Sequence, residues 1–132
     1  MENKTLIVVA MHDGLSTAII AGASRFSNVN DVVDLPLDNR MTLNEFQNAF
    51  IDALRNHDNV LVLTDILAGA CTMALFQLLK TYSFALVSGV NLTMLLEAID
   101  HKEKMDCYEL AEHIRQAGIE DIQILNKICE EL

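Results

Sequence analysis

The sequence is poor in proline and in basic residues. It has one proline in 132 residues and no low-complexity stretch, which leaves no candidate for an internal linker or for a disordered segment beyond the first few residues. Lysine and arginine number 9 against 19 aspartates and glutamates, so the net charge is −10. This charge disfavours binding to nucleic acid or to an anionic membrane surface, and it favours the basic faces of partner proteins.

Cysteines and long apolar runs are also scarce. Cys71, Cys107 and Cys129 follow no disulfide or metal-binding spacing, and the first residues lack the apolar core of a secretory signal. The longest apolar runs are broken by polar residues and fall short of the ~20 residues that a membrane helix needs. We therefore expect a single domain over residues 1–132, located in the reducing cytoplasm and without direct membrane insertion.

Short apolar segments alternate with amphipathic ones along the chain, and this alternation is typical of an α/β fold in which helices connect parallel strands. Four segments rich in valine and leucine predict buried strands, at 5–11, 31–35, 59–64 and 84–88. Helices are predicted over 15–25, 42–56, 70–81 and 91–100, and from Cys107 to a stop at Gly118. Thr42 followed by Glu45 predicts a capping box at the start of the second helix.

The segment "DIQIL" at 121–125 alternates apolar and polar residues. This pattern predicts a half-exposed edge strand. It has no obvious parallel partner, so we expect it to pair at the edge of the sheet or with another copy of the chain.

Chemistry-bearing residues follow two of the predicted strands. His12 follows the first strand and Asp65 the third, and ligands of open α/β sheets bind beyond the carboxyl ends of strands. If these strands are neighbours, Asp65 can accept one imidazole N–H and leave the other nitrogen free as a nucleophile or proton acceptor. The helices that begin at Gly14 and Gly69 would point unpaired backbone N–H groups into the same crevice, which suits a phosphoryl group. A structural histidine and a helix-capping aspartate are the alternative interpretation.

Three segments carry a resemblance to a known family. "IVVAMHDGL" at 7–15, "VLVLTDILAGA" at 60–70 and "VSGVNLTMLLEAI" at 87–99 are similar to motifs of the mannose-type enzyme IIA domain of the bacterial phosphoenolpyruvate-dependent sugar phosphotransferase system. The resemblance spans essentially the whole chain. It implies a parallel sheet of strand order 2-1-3-4 flanked by helices, and a homodimer that exchanges a C-terminal strand, here residues 121–125.

The resemblance also implies a phosphotransferase function during carbohydrate uptake. His12 would accept a phosphoryl group on Nε2 from the phosphocarrier protein HPr and pass it to an enzyme IIB domain, while Asp65 holds the opposite ring nitrogen. The backbone around Gly14, Gly69, Ala70 and Cys71 would hold the phosphoryl oxygens. No metal or cofactor is expected.

The chain departs from the family pattern in two places. Where the family has Gly-Gly-Ser-Pro, this chain has Ala68-Gly69-Ala70-Cys71, so a serine hydroxyl is lost at Ala70. A hydrogen bond to a charged acceptor is worth ~1.5 to 3 kcal/mol, enough to slow transfer without abolishing it. Thr93 replaces a proline near a helix start, a mild change. These departures leave open a IIA-like regulatory or partner-binding module without full transfer activity.

An aspartyl-phosphate receiver domain is the third interpretation. Asp65 lies after the third strand, as a receiver's phosphorylated aspartate does. A receiver also needs an acidic pair after the first strand and a lysine after the fifth, whereas here the first turn is His12-Asp13 and the next lysine after 121–125 is Lys127.

Other side chains near the predicted site, and the remaining histidines, have interpretations that involve no chemistry. Met11, Leu15, Leu67 and Met73 are candidates for an apolar rim around His12, with a place in the core as the alternative. Cys71 begins a helix, where a thiol pKa can fall, although a buried and unreactive thiol is expected. The other histidines are expected to be solvated, without cysteine or glutamate at zinc-ligand spacing: His57, His101 and His113.

Overall fold

The computed structural model describes residues 4–132, so the first three residues of the predicted domain lie outside the described part. Four parallel strands form one sheet in the order β2-β1-β3-β4, as predicted. The strands are β1 (Leu6–Ala10), β2 (Val33–Asp34), β3 (Val60–Thr64) and β4 (Ala85–Val87). Within residues 4–132 there is no helix with the length and apolar character needed to cross a membrane.

Within the described residues, six helices connect and follow the strands, and the first five confirm the predicted alternation. They are α1 (Leu15–Ala23), α2 (Leu43–Leu54), α3 (Ala70–Phe76), α4 (Leu92–His101), α5 (Cys107–Glu120) and α6 (Leu125–Glu130). α3 continues into a 3-10 turn over Gln77–Lys80. The predicted capping box at α2 is present, since Glu45 N donates to Thr42 Oγ1 at 3.0 Å and Thr42 N donates to Glu45 Oε1 at 2.8 Å.

Both faces of the sheet are buried, which explains why the strands read as continuous apolar runs. Val9 and Leu63 point to the face covered by α1, α4 and α5, whereas Val8 and Val62 point to the face covered by α2 and α3. Successive side chains of a strand point to opposite faces, so each strand contributes to both cores. Polar groups are left to the ends of the strands, where His12 and Asp65 lie.

The prediction that the fifth helix stops at Gly118 was wrong. α5 continues to Glu120, and Gly118 is buried inside it. A Cβ atom on Gly118 would lie 2.5 Å from Cγ and Sδ of Met94. The glycine therefore allows α5 to approach α4 closely, and it does not terminate the helix.

The prediction of a strand at 121–125 was also wrong for the single chain. Residues 122–124 pair with no strand in the described part of the protein, and Leu125 begins α6. Without a neighbouring strand, a short helix satisfies backbone hydrogen bonds locally. Ile122, Ile124 and Leu125 are 74%, 62% and 70% exposed, so this segment keeps an uncovered apolar surface.

Candidate functional site

His12 and Asp65 lie side by side at the carboxyl end of the sheet. β1 and β3 are neighbours in a register that pairs Ala10 with Thr64, so the residues that follow these strands meet. His12 Nδ1 lies 2.6 Å from Asp65 Oδ2, and the backbone N–H of His12 donates to the same oxygen at 3.0 Å. His12 Nε2 has no hydrogen-bond partner among residues 4–132. One ring nitrogen is therefore fixed and the other is available.

Electrostatics assign the proton in this pair. The Asp65 side chain is 10% exposed, against 48% for His12. Burial raises the pKa of Asp65, but the backbone N–H and the imidazole of His12 lower it more, so the pKa lies below its usual value. The carboxylate is thus ionised at neutral pH and can only accept, which places the shared proton on Nδ1 and leaves the lone pair on Nε2.

One oxygen of the carboxylate is left over. Asp65 Oδ1 is buried and has no hydrogen-bond partner within the described part of the chain. An ionised oxygen without a partner attracts a donor or a positive charge. Its negative charge therefore remains available to balance positive charge that builds on the His12 ring.

Two glycines shape the backbone around His12. Gly14 has a φ of 86°, in the left-handed region that favours glycine, and it allows the sharp turn from β1 into α1. Gly69 packs against the ring itself: a Cβ there would lie 3.2 Å from His12 Cε1 and 2.7 Å from Cγ2 of Ile66. The imidazole therefore rests against the bare Cα of Gly69.

α3 begins beside His12, because its N-cap residue Gly69 packs against the imidazole ring. The N–H of Gly69 itself donates to the carbonyl of Ile66 at 3.0 Å. Those of Ala70 and Cys71 lie in the first turn of α3, where N–H groups lack an intrahelical acceptor. In the described structure no backbone acceptor outside the helix is recorded for them.

Two hydrogen-bonded groups that sequence reasoning missed hold these segments in place. The hydroxyls of Ser16 and Thr17 in α1 each donate to a carboxylate oxygen of Asp34 in β2, both at 2.6 Å. The only signal in the sequence for these bonds was the adjacent position of the two hydroxyl residues, Ser16 and Thr17, just after the turn at Gly14. These bonds fix the start of α1, and therefore the turn that follows His12.

The second group lies under the turn after β3. Thr72 Oγ1 lies 2.8 Å from the carbonyl oxygen of Ile66 and 2.8 Å from Thr64 Oγ1. Thr64 and Thr72 are both buried. Their hydrogen bonds connect the start of α3 to the turn that contains Asp65.

Comparison with known proteins places this arrangement in a family. Residues 6–115 match the family model described as the phosphotransferase system fructose IIA component, of the mannose type. The chain belongs to this family. It is therefore a IIA component of the phosphotransferase system, a sugar transport system. No curated protein sequence matches the chain significantly.

Solved structures share the fold of this IIA chain. The phosphotransferase system component EIIA from Streptococcus agalactiae has 20% identity and a TM-score of 0.86, covering 93% of this chain and 98% of its own. The mannose/sorbose specific IIA subunit from Enterococcus faecalis has 21% identity and a TM-score of 0.81, covering 92% and 94%. A sigma-54 interaction domain protein from Enterococcus faecalis has 13% identity and a TM-score of 0.75, covering 91% and 94%.

An apolar surface is present in the segments that flank His12. Leu15, Leu67 and Met73 are exposed, at 47%, 67% and 40%, in the positions suggested for a rim. Sequence reasoning missed Ile66, which is 64% exposed and contacts the region of Gly69. Met11 does not belong to this rim, because it points from the end of β1 into the core beneath α1 and α4 and is 1% exposed.

The environment of the Cys71 thiol disfavours its ionisation. Cys71 is buried, and burial together with the charge of Asp65 raises its pKa to about 12. The thiol is neutral at physiological pH, as expected for a buried cysteine. Its Sγ lies within 4.8 Å of ligand atoms of His12 and Asp65, which makes these three side chains one group that could hold a metal ion.

A second such group was missed by the sequence analysis. Glu97, His101 and His113 have ligand atoms within 4.8 Å of one another. The prediction that His101 and His113 are solvated and lack a glutamate at ligand spacing was wrong, because Glu97 and His101 are separated by one turn of α4. The missed signal was this i, i+4 spacing. His57 is exposed, as predicted.

Proposed function

We propose that the protein is a phosphocarrier that accepts a phosphoryl group from phospho-HPr on Nε2 of His12 and passes it to an enzyme IIB domain. The observation that supports this most strongly is the bond between His12 Nδ1 and Asp65 Oδ2 at 2.6 Å, which leaves Nε2 unpaired among the described residues on a ring that is 48% exposed. A nucleophile with a fixed tautomer and an open approach is what transfer between two histidines requires.

The chemical step follows from this geometry. The lone pair of His12 Nε2 forms a new N–P bond while the N–P bond of phospho-HPr breaks, and that electron pair stays with the histidine of HPr. The Nδ1 proton remains between the ring and Asp65, whose carboxylate stabilises the positive charge that develops on the imidazole. The N–H groups of Ala70 and Cys71, with those around Gly14 and Gly69, are proposed to hold the phosphoryl oxygens. In the transfer to IIB, a nucleophile of IIB forms the new bond to phosphorus while the His12 Nε2–P bond breaks, and that electron pair returns to Nε2.

The surface around His12 suits two protein partners in turn. Leu15, Leu67 and Met73 are exposed and offer an apolar contact area, and the net charge of −10 favours basic faces of HPr and IIB. We propose that residues 1–132 act as one domain in the cytoplasm, where these partners meet it. Such a domain contacts proteins and not the sugar, so its surface carries no sugar specificity.

We further propose that two copies of the chain form a homodimer through the C-terminal segment. Ile122, Ile124 and Leu125 are exposed apolar side chains with no cover in the described chain. A second copy that buries them would remove this surface from water. Sedimentation analysis should give the mass of a dimer, and Ile124→Asp should shift it to a monomer; an unchanged monomeric mass in the parent protein would rule the dimer out.

The transfer proposal is tested by intact mass after incubation with phosphoenolpyruvate, enzyme I and HPr. We expect a gain of one phosphoryl group that is lost in acid, survives base, and is absent in His12→Ala. His57→Ala is the matched control, since His57 is also exposed, and it should be phosphorylated normally. Asp65→Ala should accept more slowly, because the ring loses its fixed tautomer. No mass gain in a folded parent protein would refute the carrier function.

A regulatory IIA-like module is the second candidate, and Ala70 is the observation that favours it. No hydroxyl is available at this position to contact a phosphoryl group. The sigma-54 interaction domain protein shares the fold at 13% identity, which adds no functional argument. Acceptance from HPr without onward transfer to IIB would support this candidate, and Ala70→Ser should then increase onward transfer.

The receiver interpretation is the least favoured. Asp65 is 10% exposed and its Oδ2 is bonded to His12, so a phosphate donor does not reach it easily. A phosphoryl group that is released by hydroxylamine and retained in His12→Ala would support an acyl phosphate on Asp65.

A further inference from the structure

A second cluster of ligating side chains joins two helices that the proposed transfer chemistry does not use. Glu97 and His101 lie one turn apart on α4, and His113 lies on α5. His113 Nε2 is 2.7 Å from Glu97 Oε1, and His101 Nε2 is 3.4 Å from the same oxygen. The two imidazole rings meet edge to face with centroids 4.5 Å apart. Two nitrogens and one carboxylate oxygen thus converge on one point.

The distances fit a metal ion as well as a hydrogen-bonded contact. Zinc bonds of ~2.0 to 2.1 Å in a tetrahedron place neighbouring donor atoms ~3.3 Å apart. His101 Nε2 lies 3.4 Å from Glu97 Oε1, which already matches this donor spacing. His113 Nε2 lies 2.7 Å from the same oxygen, so this distance needs to lengthen by roughly half an ångström when zinc binds. A side-chain adjustment of this size needs no movement of the helices.

Solvent can reach the cluster, and the side chains do not have to leave a core to bind. The side chains of Glu97, His101 and His113 are 33%, 33% and 32% exposed. A surface depression of about 400 Å³ lies beside Glu97 and His113, and Glu120 and Asp121 also line it. Its described lining contains three carboxylates and neither lysine nor arginine, so it attracts cations and not anions.

The helices hold these donors firmly. α4 and α5 pack closely at Gly118 and Met94, and Thr93 Oγ1 donates to Asp121 Oδ2 at 2.8 Å. Ile114, next to His113 in sequence, is fully buried. A preformed set of donors on two fixed helices loses little conformational entropy on binding an ion.

We propose that Glu97, His101 and His113 form a binding site for a divalent transition-metal ion, zinc in the first instance, that links α4 to α5. Imidazole nitrogens with one carboxylate oxygen are a ligand set that suits zinc, and three protein ligands leave the fourth position to water. Because the ion binds both helices in the folded state only, it stabilises their contact.

The test uses untagged protein freed of metal with a chelator and titrated with zinc chloride in a calorimeter. We expect one zinc ion to bind at this site and the melting temperature to rise by roughly 10 °C when zinc reaches 100 times its dissociation constant. His113→Gln and Glu97→Gln should each weaken binding by at least about tenfold. His57→Gln is the control, because it removes an exposed histidine outside the cluster and should leave binding unchanged.

The group formed by His12, Asp65 and Cys71 is the competing site, and His12→Gln separates the two. Zinc binding that survives His12→Gln and weakens in His113→Gln and Glu97→Gln supports the proposal. Binding that is lost in His12→Gln and retained in His113→Gln assigns the ion to the competing site and overturns it. An absence of binding heat and of any thermal shift at 1 mM zinc also overturns the proposal. The cluster is then only a hydrogen-bonded contact between helices. Each variant is compared by circular dichroism with the parent protein, and none of these outcomes depends on phosphoryl transfer.

Discussion

Replacing Gly69 by alanine probes the contact on which the orientation of His12 depends. The added Cβ would lie 2.7 Å from Ile66 Cγ2 and 3.2 Å from both Ile66 O and His12 Cε1, so side chains and backbone must all shift. Overpacking of this kind costs ~1 to 3 kcal/mol. The φ of Gly69 is −80°, which alanine adopts freely, so a less flexible unfolded chain returns ~0.4 to 1 kcal/mol. We expect the free energy of unfolding of Gly69→Ala to fall by about 1 kcal/mol, which corresponds to a melting temperature about 4 °C lower.

Gly22→Ala is the matched control. Its Cβ would meet only Leu92 Cδ1 at 3.9 Å, an ordinary contact, and it lies inside α1. This variant should gain up to about 1 kcal/mol from helix propensity. Urea unfolding measures both variants, and ¹⁵N NMR of the His12 ring reports its tautomer and environment. If Gly69→Ala is as stable as Gly22→Ala and leaves the ring signals unchanged, the contact between Gly69 and His12 has been misjudged.

Three further outcomes are expected. Asp65→Asn should lower the free energy of unfolding by about 1 kcal/mol at pH 7. This difference should disappear as the pH falls below about 4 and through the lowered pKa of Asp65, because only the ionised carboxylate stabilises the fold. A difference that stays constant with pH would contradict the assignment of an ionised Asp65. Asp34→Ala should cost ~1 to 3 kcal/mol in urea unfolding, since buried Ser16 loses its acceptor, whereas Asp52→Ala, at a surface ion pair, should change stability by less than about 0.5 kcal/mol. Iodoacetamide should alkylate Cys129 in the folded protein and leave the two buried cysteines intact, as peptide mass analysis will show.

The sequence predicted the sheet well because the physical cause of its pattern is local. Strands buried on both faces must be apolar throughout, and the helices between them must be long enough to cross over, so the α/β class followed directly. The positions of His12 and Asp65 after their strands were also readable. That they touch depended on β1 and β3 being neighbours, which the structure provides.

Two of the errors concern contacts between different helices. Gly118 suggested a helix end because glycine is common there, but its role is set by Met94 on another helix. His113 reaches Glu97 only because α4 and α5 have a particular relative rotation, which no single helix encodes. For Met11 the core alternative holds, because its side chain points inward from the end of β1.

One oxygen of Asp65 accepts hydrogen bonds from both the main chain and the ring of His12. The side chain of His12 is therefore closed into a small ring with its own backbone, and its first two torsions cannot turn without breaking a bond to a charge. Such a side chain has little rotamer entropy left to lose when another molecule binds it. Two partner proteins of different shape that bind in turn would meet Nε2 of His12 pointing in the same direction. Neither partner would need contacts of its own to orient the His12 ring.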